Sequence, residues 1–190
     1  MTATKEEFRQ QLRARVKELS PTQRQELSEA ARKQLSFQCA WGDARAILFY
    51  SPLPDEIDLS PLMGEALAAG CKVALPRFIP ETGVYAAYEI THPTTQCIRG
   101  TFNILEPSHE CPVFPLNRLD LVLVPGVGFD QSGHRLGRGR GFYDRLLSSA
   151  SGVKCGVGFD EQLVPQLPVE SHDVHLNCIL TPTRWLEFGR

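Results

Sequence analysis

The chain has 190 residues, 42% hydrophobic and 22% charged, which is the balance of a soluble globular protein with one sizeable core. Its net charge of −2 excludes a protein that coats nucleic acid or an anionic membrane through bulk charge. No apolar run approaches a membrane span, and the opening MTATKEEFRQ lacks the apolar core of a secretory signal and carries acids that a transit peptide avoids. A cytoplasmic protein is therefore expected, with one domain over residues 1–190, acting as a monomer. The six cysteines are widely spaced with no C-x-x-C, so zinc-ribbon and thioredoxin readings fail and reduced thiols are expected. Cys71, Cys155 and Cys178 lie in strand-like runs and read as small buried hydrophobes.

In chain order, Phe8, Leu12, Val16 and Leu19 carry helical spacing and predict an amphipathic helix. Lys5, Arg9 and Arg13 form a second stripe on that helix, and a solvated basic face is the plainest reading of it. Ser20-Pro21-Thr22-Gln23 predicts a second helix start, with Ser20 as N-cap, Pro21 at the first position and Gln23 closing a capping box. Leu27, Ala30, Ala31 and Leu35 share one face of that helix, which should end before Trp41-Gly42. Ala46 to Tyr50 reads as the first core strand and runs into the loop Ser51 to Asp58, which presents carboxylates at a strand's carboxyl end. That edge is where ligands bind open α/β sheets, although a solvated loop acid is an equally good reading of Glu56 alone.

Ser60-Pro61 starts a further helix closed by Gly70, and Cys71 to Pro76 reads as a second strand with Arg77 just past its end. Strand, helix and strand predict parallel pairing with a right-handed crossover. Val84 to Ile90 suggests an edge strand, and residues 91–118 suggest loops and short pieces, among them Ile104 to Pro107. Leu121 to Val124 reads as a buried strand that Pro125 ends. The next sixteen residues hold six glycines threaded with Arg135, Arg138 and Arg140, before Phe142, Tyr143, Leu146 and Leu147 resume helical spacing. Val153 to Phe159 and His175 to Leu180 predict two more strands. The order of elements predicts a three-layer α/β/α domain with a mostly parallel central sheet.

A strand, a glycine-arginine loop and a helix start suit an anion. Glycines let backbone N–H groups approach closely, the helix end adds partial positive charge, and guanidinium forks match phosphate oxygens. No Walker loop, dinucleotide fingerprint or nucleophile elbow is present. His172 and His175 form H-x-x-H, read here as a loop residue and a strand residue rather than zinc ligands. Many phosphate-type donors with few candidate bases suit phosphoryl transfer, with Mg²⁺ held by hard oxygens. Asp144 and Asp173 are the natural candidates for that ion, while Asp144 alone is equally well explained as an acid favouring its own helix dipole.

The run GVGFDQSGHRLGRGRGFYD from Gly126 to Asp144 resembles the signature of the 5-formyltetrahydrofolate cyclo-ligase family, and the resemblance extends to Lys5–Arg9, YSPLPDEID from Tyr50, Leu75-Pro76-Arg77, Ile104–Pro107 and Thr181-Pro182. It implies an α/β enzyme that closes 5-formyltetrahydrofolate to 5,10-methenyltetrahydrofolate with ATP as co-substrate and Mg²⁺ as cofactor. It also implies that Lys5, Arg9, Arg135 and the segment Gly137, Arg138, Gly139, Arg140, Gly141, Phe142 and Tyr143 line the ATP site, which displaces the solvated-face reading of Lys5 and Arg9. Tyr50 and Glu56, with Arg138 to Phe142, would hold the folate. Asp144 and Asp173 would hold the metal, and Arg138 and Arg140 would carry the transferring phosphoryl group. A phosphate-binding isomerase or acyl-CoA enzyme and a nucleotide- or RNA-binding module are the competing classes, and ATP-dependent formation of the methenyl product separates them.

Overall fold

A computed structural model describes residues 4–100 and 103–189. Helices α1 (Lys5–Glu18), α2 (Pro21–Ser36) and α3 (Cys39–Gly42) precede strand β1 (Ala46–Leu48), and α4 (Pro61–Ala68) connects it to β2 (Lys72–Ile79). Strands β3 (Val84–Ile90), β4 (Cys97–Arg99), β5 (Leu105–Pro107), β6 (Leu121–Pro125), β7 (Gly128–Asp130) and β8 (Arg135–Leu136) lead to α5 (Phe142–Ser149). The chain finishes through β9 (Val153–Val157), β10 (Leu163–Val164), β11 (Cys178–Leu180) and β12 (Trp185–Glu187). Seven strands form the main sheet in the order β12-β11-β9-β6-β1-β2-β3, and only the outermost pairs on each side are antiparallel.

Alternation along the buried strands divides the core between two faces. Ile47, Leu121 and Leu123 pack with Val16, Leu35 and Leu62 on one face. Leu48, Val122 and Val124 pack with Leu146 and Leu147 of α5 on the other, so helices cover both sides and the three-layer α/β/α expectation holds. The α1 and α2 starts are both closed by capping boxes, at Thr4 with Glu7 and at Ser20 with Gln23, each placing one side-chain oxygen on an orphan N–H. The connection from β1 runs outwards to β2, while that from β6 runs outwards to β9 on the opposite side. The adjacent strands β1 and β6 therefore mark the point where the winding reverses, and the crevice outside their carboxyl ends is the favoured ligand site.

Several local expectations need correction. Arg77 lies inside β2, because antiparallel pairing with β3 extends that strand to Ile79. The glycine-rich stretch is not one continuous loop. It contains the β7–β8 hairpin, turned at Gly133 (φ 87°) and braced by the Asp130 carboxylate, which accepts the backbone N–H groups of Ser132 and His134. Helix α2 ends at Ser36, ahead of Trp41-Gly42 as expected, and those two residues fall in the separate short helix α3. His175 precedes β11, which begins at Cys178, and the edge strand β12 pairs antiparallel beyond it. All six cysteines are free thiols.

Candidate active site

A cavity of about 740 Å³ opens at the winding reversal, between the loop after β1, the α1 N-terminus and the segment from β8 into α5. Of the residues singled out from the sequence, all except Tyr50 line it. Tyr50 is 3% exposed and its hydroxyl donates to the Ile57 carbonyl, so the ring braces the loop that carries Glu56 and does not reach the cavity wall. Burial above all, with Glu56 adding to it, pushes the Tyr50 phenol well up and keeps it a neutral donor.

The loop cations are already paired. Arg138 donates to Asp55 Oδ1 at 2.8 Å and Glu56 Oε1 at 3.0 Å, which ties the glycine loop to the loop after β1. Glu56 also accepts the Leu53 N–H, and its carboxyl is nevertheless raised because burial outweighs the Arg138 charge. The Arg135 side chain is only 4% exposed and donates to Asp144 Oδ1 at 2.7 Å, with the Tyr143 ring 5.6 Å from its guanidinium carbon. Any Cβ at Gly137 would stand 2.7 Å from the Arg135 Nη1, so that glycine makes room for the buried guanidinium. Asp144 is thus held by a strong cation as well as standing in the first turn of α5.

The basic stripe of α1 is not a solvated face. Lys5 Nζ donates to Asp173 Oδ2 at 2.8 Å and lies 3.4 Å from Glu170 Oε2, while Arg9 Nε donates to the Gly137 carbonyl at 2.9 Å. Burial works against the Asp173 charge, but the Lys5 and Glu170 N–H bonds win and hold its carboxyl below the usual range. Gly139 adopts φ 98° and Gly141 φ 63°, so the backbone turns through left-handed conformations to place Gly141 at the α5 N-cap. Arg140 stands on the exposed side of this turn with its guanidinium carbon 6.0 Å from the Phe142 ring.

Phe142 packs against Phe78 and Tyr85 at 5.1 and 5.3 Å between ring centroids, which makes an aromatic wall from α5, β2 and β3. Burial chiefly, then Glu106, pushes the Tyr85 phenol up to about 12, against the pull of Arg140. Sequence pattern did not single out Phe78, Tyr85 or Glu106 for the site, because they look like ordinary strand and loop residues until β2, β3 and β5 are brought together.

Among the described residues, Glu170, His172 and Asp173 form a cluster whose possible ligand atoms lie within 4.8 Å of one another, and His175 is outside it. Carboxylates suit a hard divalent ion, whereas the His172 nitrogen does not. Asp144 is not in that cluster, although it lines the same cavity. The carboxylates fit Mg²⁺ in their chemistry; Asp173 and Asp144 line the same cavity, where they pair with Lys5 and Arg135.

Comparison with known proteins adds an independent finding. The 5-formyltetrahydrofolate cyclo-ligase family model matches residues 1–182. The chain is 33% identical to the Escherichia coli 5-formyltetrahydrofolate cyclo-ligase over 181 residues, covering 93% of this chain and all of that one. It is 32% identical to the Haemophilus influenzae counterpart over 180 residues, covering 90% and 96%. The solved structure of Aquifex aeolicus 5,10-methenyltetrahydrofolate synthetase superposes with a TM-score of 0.87 at 31% identity, covering 98% of this chain and 94% of that one.

Proposed function

The chain belongs to the 5-formyltetrahydrofolate cyclo-ligase family, and from that premise we propose that it converts 5-formyltetrahydrofolate to 5,10-methenyltetrahydrofolate with ATP as co-substrate, releasing ADP and phosphate. The observation that carries this reading is the cavity itself. Lys5, Arg9, Glu56 and the loop Arg135–Tyr143 line one cavity at the winding reversal, giving one site with a cationic side and an aromatic side. No helix among the described residues is long and apolar enough to cross a membrane. We read the whole chain as one cytoplasmic, monomeric enzyme domain that needs neither nucleic acid nor membrane.

The chemistry accounts for the lack of a general base. A formamide oxygen is a poor leaving group. Transfer of the γ-phosphoryl group from ATP to that oxygen forms the new P–O bond and expels ADP, and the N5 lone pair completes an iminium phosphate. N10 then attacks the same carbon; its C–N bond forms as the C–O bond breaks, phosphate leaves with the oxygen, and N10 loses its proton. Both reacting atoms belong to one molecule, so alignment supplies much of the acceleration.

In this scheme Arg138 and Arg140 stabilise charge on the transferring group, and Lys5, Arg9 and the loop from Gly137 to Tyr143 hold the nucleotide. Arg135 serves the same end of the site as a strut for Asp144. Glu56 holds the folate, and Tyr50 acts on it indirectly by fixing the Ile57 backbone. Asp144 and Asp173 would hold Mg²⁺, which supplies neutralisation of polyphosphate charge. The test follows methenyl absorbance from 5-formyltetrahydrofolate and Mg²⁺ with and without ATP. ATP-dependent product supports the reading; ATP binding without conversion, or conversion without ATP, refutes it.

A further inference from the structure

We propose that Glu106 recognises the 2-amino N–H of the folate's 2-amino-4-oxo-pyrimidine ring, and so sets specificity for that ring in the cavity. This rests on the folate reading above and adds to it a residue with no role so far.

Glu106 lies in β5 and lines the cavity, yet it is only 4% exposed and its Oε1 has no hydrogen-bond partner. Buried polar atoms are nearly always satisfied, so an orphan carboxylate oxygen in a cavity wall calls for a partner that arrives with the ligand. The feature is built in. A Cβ at Gly100 would stand 2.1 Å from Glu106 Oε2 and 2.4 Å from its Cδ, so the glycine lets the backbone there pack directly on the Oε2 side of the carboxylate, which leaves Oε1 as the atom without a partner.

The surroundings decide what the partner is. Phosphate is excluded, because a carboxylate repels it. A metal ion is unsuited, because Glu106 belongs to no group of three metal-ligating side chains among the described residues. The neighbouring wall is instead apolar and aromatic, with Pro76, Tyr85, Ile104 and Leu105. A flat heteroaromatic ring with an N–H donor on its edge satisfies both features. Its face stacks on the aromatic wall, and its 2-amino group donates to the unpartnered Oε1. Burial raises the Glu106 carboxyl against the opposing Phe78 N–H and Arg77, and a ligand N–H donor favours its charged form.

The test uses the full chain with two substrates, 5-formyltetrahydrofolate and its analogue with methyl in place of the 2-amino group. Wild type should favour the amino substrate about 10- to 100-fold in kcat/KM, as expected for a site left with an unpaired charged acceptor. Glu106→Gln should raise KM for the natural substrate by a similar factor, leave KM for ATP unchanged and abolish the preference. Gly100→Ala should reproduce the pattern by displacing the carboxylate. A Glu106→Gln enzyme that keeps the preference, or that loses affinity for ATP equally, overturns the proposal. Should that variant fail to fold, equal kcat/KM for the two substrates in wild type overturns it alone. Absence of any methenyl product in wild type is a different failure, that of the folate reading itself.

Discussion

The Arg135–Asp144 pair is the strut of the glycine loop, and removing it gives a sharp test. Its two side chains are 4% and 18% exposed, and the Nη2–Oδ1 distance is 2.7 Å. In Arg135→Met the apolar stem keeps most of the packing, but the Asp144 carboxylate loses its counter-ion. Breaking a buried pair from one side costs about 3–5 kcal/mol, and the water that Asp144 keeps lowers the expectation to roughly 2–4 kcal/mol. For a chain of this size that corresponds to a fall in Tm of roughly 4–16 °C. Arg135→Met/Asp144→Leu removes both charges and should recover more than half of the loss. Denaturant and thermal unfolding followed by circular dichroism measure all three. The reasoning is refuted by a single-variant loss under about 0.5 kcal/mol, or by a double variant no more stable than the single one.

Arg140→Ala should lower kcat roughly 100-fold while changing KM for the folate little, the signature of a contact made in the transition state; unchanged turnover removes Arg140 from the phosphoryl site. Lys5→Met tests the pairing that holds Asp173 below its usual value near 3.8. The sign is fixed: a lowered carboxyl contributes stability above that usual value and loses it as pH falls through the folded-state value. Wild type should therefore exceed Lys5→Met in stability at neutral pH, with the gap closing only below about pH 3.8, and a gap that widens in acid contradicts the pairing. Gly139→Ala places a side chain at φ 98° and 3.4 Å from the Arg9 guanidinium, so it should destabilise by about 1–2 kcal/mol and raise KM for ATP. Wild-type behaviour in both measurements would mean that the loop does not need this backbone geometry.

The parts of the fold that sequence made legible are those with strong local signals. Ser20-Pro21 and Gly70 marked helix ends through capping chemistry that depends on neighbours within four residues. Val84–Ile90 holds enough β-forming residues, Tyr85 and Tyr88 among them, to be placed at its observed limits. The β7–β8 hairpin stayed hidden because its two strands have three and two residues, too few for a period to register, inside a glycine-rich run. Likewise β12 has three residues and gains its strand character only from pairing with β11.

Site residues show the same division between local and remote information. The cations of the loop and of α1 were visible, and so were Glu56, Gly137 and Asp173, but their pairings were not, because the partners lie far apart along the chain. Arg138 meets Glu56 across 82 positions, Arg9 meets Gly137 across 128 and Lys5 meets Asp173 across 168. These partners change what the cations can do. On the proposed reading, a polyphosphate entering the cavity would take Arg138 from Asp55 and Glu56, and Lys5 from Asp173 and Glu170. Much of the desolvation of these groups is already complete in the folded protein, so exchange of one anionic partner for another carries a smaller penalty than burying a solvated arginine. On the same reading the exchange would release Glu56 towards the folate side and Asp173 towards a cation. One set of ion pairs, inherited from folding, would then link the arrival of the nucleotide to the readiness of both remaining subsites.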